Sequence, residues 1–369
     1  MPPKLRMTRP VFDALARGGG GVAAVDLLTR VRRSRTLQLI RLVADRWPGS
    51  RRAFDDLTAL PAEAVRRVVD HPAVGAWATR TAIGSGEPAW LAHVACAAAV
   101  RAGVRTAPRL PRVHRAWLPT LGALEEADAS RWEPTPRVAV PGGPTFLVER
   151  WEDIGSTALL PFAEDLDLPR WQDGVTRAWQ VLARDHADVA GELVAAITVL
   201  APLREPASGV NSATHADAYG CVFMSPPKDP EITAMTLAHE LQHTKLVALM
   251  DLFPLVAPDE GRRYYAPWRD DPRPAIGLLH GAYAHLGVAK FCRRAGREVE
   301  FARWRTAALE VSRTLLASGE LTETGQDFVQ GMETTLRRWC EEPVSPTAHS
   351  EAHRLATTHR ARHDTTHGR

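Results

Sequence analysis

The sequence predicts an α+β chain that is mostly helical, with a helical N-terminal half and a second half in which a small sheet packs on a histidine-bearing helix. Three observations carry this expectation. Apolar residues recur every three or four positions through roughly the first 127 residues. The pattern then shortens to proline-punctuated apolar runs, placing a domain boundary near Trp132. A strand-like run from Tyr219 to Met224 leads into a long amphipathic helix that starts at Pro230.

With 369 residues, 45% of them hydrophobic, the chain can bury a sizeable core. The formal net charge is +3, and its basic residues are almost all Arg, the lysines being Lys4, Lys228, Lys245 and Lys290. Most of the arginines alternate with Asp and Glu, which argues against a nucleic-acid partner. The stretch holding Arg30, Arg32, Arg33, Arg35, Arg41, Arg46, Arg51 and Arg52 is the exception. It reads as a solvated helix face, with an anionic partner or a docked peptide as the alternative. Cys96, Cys221, Cys292 and Cys340 share no metal-site or disulfide spacing and read as buried small hydrophobes. No apolar run has the roughly 18 to 20 residues of a membrane span, and the start of the chain lacks a signal-peptide core. A cytoplasmic protein without membrane or nucleic-acid partners is expected.

Along the chain, helices around Phe12 and Leu15 and from Val22 to Val43 flank the run Gly18-Gly19-Gly20-Gly21. No strand precedes these glycines and no Lys-Ser/Thr follows, so they predict a flexible turn rather than a phosphate loop. Trp90 to Ala102 is a buried alanine-rich helix. Pro108, Pro111, Pro119, Pro134, Pro136, Pro141 and Pro144 then separate short strands at Val138–Val140 and Phe146–Val148. A helix from about Pro169 to Ala196 and a strand from Ile197 to Leu200 follow. The division expected is a helical region 1–132, a metal-binding domain 133–342, and a disordered tail 343–369. The tail histidines His349, His353, His359, His363 and His367 are taken as incidental.

Asp229 is the expected N-cap of the long helix, Pro230 its first residue and Glu231 a charge suited to its positive end. On it, His239 and His243 stand one turn apart and project toward one point, as two nitrogen ligands of a metal must. Glu240, between them, is placed to hydrogen-bond a metal-bound water. The bland reading is chance, since the pattern fixes only three positions. A third ligand must come from another element, and the helix from about Pro274 to Cys292 offers His280 and His285. His280 is favoured because the small Gly277 and Gly281 flank it; a hydrogen-bonded interior histidine is the alternative for either. Asp259 and Glu260 in the connecting loop remain carboxylate alternatives.

Together these residues resemble a family. The phrases Phe12-Asp13-Ala14-Leu15-Ala16 before the glycine run, Thr236-Leu237-Ala238-His239-Glu240-Leu241-Gln242-His243, Tyr264-Tyr265-Ala266-Pro267-Trp268-Arg269 with Asp271-Pro272-Arg273-Pro274, and His280-Gly281-Ala282-Tyr283-Ala284-His285-Leu286 are similar to the HExxH-domain proteins of actinobacterial peptide-modification clusters. Some members of that family occur beside, or fused to, radical-SAM maturases. The likeness runs from near the N-terminus to about Trp339. It implies an iron(II)- and 2-oxoglutarate-dependent β-hydroxylase of a ribosomally made precursor peptide, with a zincin-like metal-binding half. Carried over, His239 and His243 become iron ligands. A 2-oxoglutarate enzyme also needs a cation for the distal carboxylate, for which Arg269 or Arg273 is the candidate, a surface ion pair with Asp270 or Asp271 being the alternative. Lys245 points off the metal face and is the weaker choice.

Two other functions stay open. In a zinc metallopeptidase Glu240 is the general base, and Tyr264, Tyr265 or Tyr283 steadies the oxyanion. In a non-catalytic module the chain only binds a peptide. For either peptide-directed reading the strand before the metal helix is expected to be a sheet edge, with Tyr219, Cys221 and Phe223 meeting the substrate; a strand paired on both sides is the alternative.

Overall fold

The computed structural model describes residues 6–104, 115–125, 132–149 and 162–367, so Pro108 and Pro111 lie outside the described residues. In chain order the elements are α1 (Arg9–Ala16), α2 (Gly21–Arg46), α3 (Arg51–Thr58), α4 (Ala62–Val69), α5 (Pro72–Ala82), α6 (Leu91–Arg101), β1 (Arg115–Leu118), β2 (Gly122–Glu125), β3 (Trp132–Pro134), β4 (Arg137–Ala139) and β5 (Thr145–Val148). They continue with α7 (Leu168–Asp185), α8 (Ala187–Ala196), β6 (Val199–Pro202), β7 (Ser212–Ala213), β8 (Cys221–Met224), α9 (Pro230–Met250), α10 (Ala275–Arg294), α11 (Glu298–Ser318), α12 (Glu323–Cys340) and α13 (Pro346–His367). The class is mostly helical α+β, as the periodicity predicts. Among the described residues no helix is long and apolar enough to cross a membrane.

The chain does not divide at residue 132. One unit gathers Met1–Leu28, Gln180–Ala195 and Ala234–Arg369, and the other Thr29–Trp179 with Ala196–Thr233. The reason is packing between distant segments. Phe12 of α1 meets Phe328 of α12 and Phe253 edge-on at 5.8 and 5.7 Å, which ties the N-terminus to the C-terminal helices. No local pattern reveals such a pairing.

In the second unit β1, β2 and β3 form an antiparallel meander, and a five-stranded sheet has the order β4-β5-β6-β8-β7. β5, β6 and β8 are parallel, with antiparallel β4 and β7 outside them. The expected edge at β8 is therefore corrected: the strand is paired on both sides, and the outer position is held by the two-residue β7. Cys221 and Phe223 are fully buried among Ala73, Ala76 and Val199. Tyr219 is 8% exposed and its hydroxyl bonds the Thr29 hydroxyl at 2.9 Å. None of the three offers a substrate-facing surface. Their alternation tracks the core of the sheet, which a single strand's sequence cannot distinguish from an edge face.

The helix expected from Pro169 to Ala196 is interrupted at His186, where the backbone still bonds helically: His186 N–H reaches Leu182 O, and Ala190 N–H reaches His186 O. In the first unit α10, α12 and α13 each pack against α11. The tail is a second correction, because residues expected to be disordered form α13. Ser345 Oγ caps its start by accepting from Ala348 N–H, and Pro346 takes the first helical position. Its inner face is made of Ala348, Ala352 and His359, all buried. That face is built from small residues and one hydrogen-bonded imidazole, so its apolar content falls below what folding ordinarily signals.

Candidate metal centre

Helix α9 begins as its sequence predicts, with Asp229 Oδ1 accepting from Ile232 N–H at 2.8 Å. One turn apart on α9, His239 Nε2 and His243 Nε2 face each other at 3.1 Å. Two nitrogens bound to one ion at about 2.1 Å and separated by this distance subtend an angle of about 95°. The pair therefore fits a single metal ion. Burial lowers the His239 pKa, and burial together with the neighbouring histidines puts His243 well below the ordinary imidazole value. Both rings are neutral near pH 7, which is the form that ligates. The His239 side chain keeps 25% of its surface open, so a ligand can reach the pair. Glu240 is 1% exposed, with Oε1 3.9 Å from His239 Nε2.

Two more imidazoles flank the pair. His280 stacks on His243 with ring centroids 5.7 Å apart, and His285 stands edge-on to His239 at 5.3 Å. Burial pushes His280 down to about 4 and His285 to about 3. His285 Nδ1 donates to Gly281 O at 2.8 Å, which leaves Nε2 with its lone pair. Trp268 stacks on His285 at 4.6 Å and Trp304 lies 4.5 Å from it. Among the described residues no three His, Cys, Asp or Glu side chains converge on one point; His239 and His243 do so as a pair.

The glycines serve differently from the expectation. A Cβ on Gly281 would lie 2.3 Å from the Trp268 ring, so this glycine admits the tryptophan that stacks on His285. Gly277 faces Arg273, and contact with the metal helix falls instead at Gly287, where a Cβ would meet Gln242 at 2.6 Å. The run Gly18–Gly21 is a turn between helices, but a pinned one. Gln242 Nε2 donates to Gly18 O at 3.0 Å, and Lys245 Nζ donates to Gly19 O at 3.1 Å. Lys245, 1% exposed, also pairs with Glu192 at 2.7 Å, whose other oxygen accepts from Gly21 N–H at 2.8 Å. Lys245 thus ties the glycine turn to α9.

Arg269 and Arg273 share Asp271 at 2.7 and 2.9 Å, and both donate to it, holding its carboxyl down at about 2. Tyr283, fully buried, donates to Leu15 O at 2.7 Å and is not placed to steady an oxyanion. Tyr265 hydrogen-bonds His359 Nδ1 at 2.8 Å, and Tyr264 pairs through its backbone with Arg273. Asp259 accepts from Gly261 N–H and Arg263, and Glu260 is exposed. Tyr219, Cys221 and Phe223 belong to the other unit. The residues that sequence reasoning missed are Trp268, Trp304 and Gln242. Trp268 stands a few residues before α10, and its signal is a bulky ring in reach of a glycine-bearing helix. Comparison of the chain with known protein families and with curated proteins gives no match.

Proposed function

We propose that the chain is an iron(II)- and 2-oxoglutarate-dependent hydroxylase that acts in the cytoplasm on the β-carbon of a side chain in a ribosomally made precursor peptide. The observation that carries this reading is the run of imidazoles: His239 and His243 face each other on α9, His280 and His285 of α10 flank them, and α10 contains no Asp or Glu. A peptidase zinc site of the His2Glu type draws its third ligand from a carboxylate on a second helix. Imidazole-bound iron with open positions suits a keto acid and dioxygen. Iron(II), when bound, supplies the activation of dioxygen that turns 2-oxoglutarate into succinate and CO2 and places one oxygen atom in the peptide C–H bond.

The chain's own residues do the remaining work. His239 and His243 hold the ion in their neutral forms, and the Gly281 carbonyl fixes the tautomer of His285. Trp268 and Trp304 keep water from the His285 side of the cluster. In this reading a zincin-like half holds the metal, and Arg269 or Arg273 receives the distal carboxylate of 2-oxoglutarate by displacing Asp271.

The zinc peptidase is a second reading, favoured by one observation, the Glu240 carboxylate beside His239. Protein purified without oxygen, assayed for its metal and incubated with peptide and 2-oxoglutarate separates them. Succinate and a mass gain of one oxygen support the hydroxylase; shortened peptides support the peptidase; binding without turnover supports a peptide-binding module. Glu240→Gln abolishes cleavage by about 10²- to 10⁴-fold if Glu240 is a general base.

A further inference from the structure

A cavity of about 550 Å³ lies between α11 and α13, in the unit that holds the histidines, and nothing above uses it. Arg303, Arg305 and Arg360 line it, against the acids Glu310 and Asp364. Arg360 is neutralised by Glu310 and lies 4.0 Å over the Tyr265 ring. Arg305 is 5% exposed and spends Nη1 on the carbonyls of Trp339 and Glu342, while its Nε has no partner. Arg303 is half-buried, and among the described residues it has no carboxylate partner. Burial and the nearby Arg362 hold its guanidinium below the usual range, as is expected of a cation without a counter-charge. Its Cζ sits 4.3 Å over the Trp304 ring, which fixes the plane of the fork.

A half-buried guanidinium that faces a cavity, held flat by an aromatic ring and left without an acid, is arranged for a planar anion. We propose that this cavity binds a carboxylate, with Arg303 as its bidentate partner and Arg305 as a second cation behind it. The carboxylate comes from either a small free dicarboxylate or an acidic side chain of a bound peptide. The Trp304 ring under Arg303 also lies 4.5 Å from His285, so one tryptophan contacts both the cavity's arginine and the histidine cluster. The proposal does not rest on the hydroxylase reading, and its test uses the metal-free protein.

The full-length chain, stripped of metal by a chelator, is titrated calorimetrically with three probes: 2-oxoglutarate, a terminally blocked peptide carrying two glutamates, and the same peptide with glutamines. Binding of 2-oxoglutarate alone, of the glutamate peptide alone, or of both supports the site and names its source where Arg303→Met weakens it, which separates this cavity from Arg269 and Arg273. Arg303→Met keeps the stem on Trp304 and should weaken the bound probe by at least about tenfold. Arg303→Lys should fall between, since it keeps the charge and loses the fork. Thermal melting of each variant establishes that it is folded. The idea is overturned if neither carboxylate probe binds, if the glutamine peptide binds as well as the glutamate peptide, or if folded Arg303→Met keeps wild-type affinity.

Discussion

Replacing Lys245 with Met should destabilise the chain far more than a surface lysine would, because of what surrounds its ammonium. Lys245 and Glu192 are 1% and 4% exposed and 2.7 Å apart. The ammonium also bonds the Gly19 carbonyl at 3.1 Å. Methionine fills a similar volume, but it leaves a buried carboxylate with only the Gly21 N–H and deprives the half-buried Gly19 carbonyl of the lysine donor. Breaking a buried pair from one side costs about 3–5 kcal/mol. Glu192→Gln keeps the Gly21 bond and should cost less, about 2 kcal/mol. The double variant removes both charges, so its loss should fall short of the sum by at least about 1.5 kcal/mol. Equilibrium urea unfolding near neutral pH measures all three, and hydrogen exchange at the Gly21 amide reports the turn directly. Additivity within about 0.5 kcal/mol, or a Lys245→Met loss under about 1 kcal/mol, would refute the pinned-turn argument.

Three other outcomes follow from the same geometry. The histidine cluster holds its protons more weakly than the ordinary 6.5, with His280 at about 4 and His285 at about 3. The unfolded chain therefore binds protons that the folded one does not. Stability of the metal-free protein is complete above pH 6.5 and falls as the pH drops from there toward 4 and then 3. Urea midpoints across that range should show this slope, and His285→Phe should flatten it. Gly281→Ala puts a methyl 2.3 Å from the Trp268 ring, so the ring must leave His285. About 1–3 kcal/mol of stability and about tenfold in metal affinity should go with it, by unfolding and metal titration. A chain ending at Glu342 loses buried Ala348, Ala352 and the Tyr265–His359 bond of 2.8 Å, so it should melt well below the full chain. Unchanged melting would show that α13 adds nothing to the fold.

Helix α9 was legible because everything that specifies it is local. Asp229, Pro230 and the two histidines lie within fifteen residues, and cap, start and projection follow from helix geometry. The part Lys245 plays in pinning the glycine turn was not legible, for the opposite reason: its partner Glu192 sits 53 positions earlier and the carbonyls it bonds more than 220 earlier. β8 looked like an edge because β7, with two residues, is too short to leave a pattern. Arg303 is one of three arginines in α11, and only the fold shows that no acid among the described residues pairs with it. α13 hid its buried face in alanines.

The discontinuity of the units sets an order of events during synthesis. The unit of Thr29–Trp179 and Ala196–Thr233 is complete in sequence once residue 233 has been made. The other unit cannot close then, since α1 waits for α12, with Phe12 and Phe328 separated by more than 300 positions. Until α12 leaves the ribosome, Phe12 lacks Phe328, although Phe253 and the glycine turn's partners Glu192, Gln242 and Lys245 have already been made. A newborn chain stalled near residue 250 would hold the residues of the sheet with His239 and His243 but lack His280 and His285, so the four histidines come together only after α10 has been made.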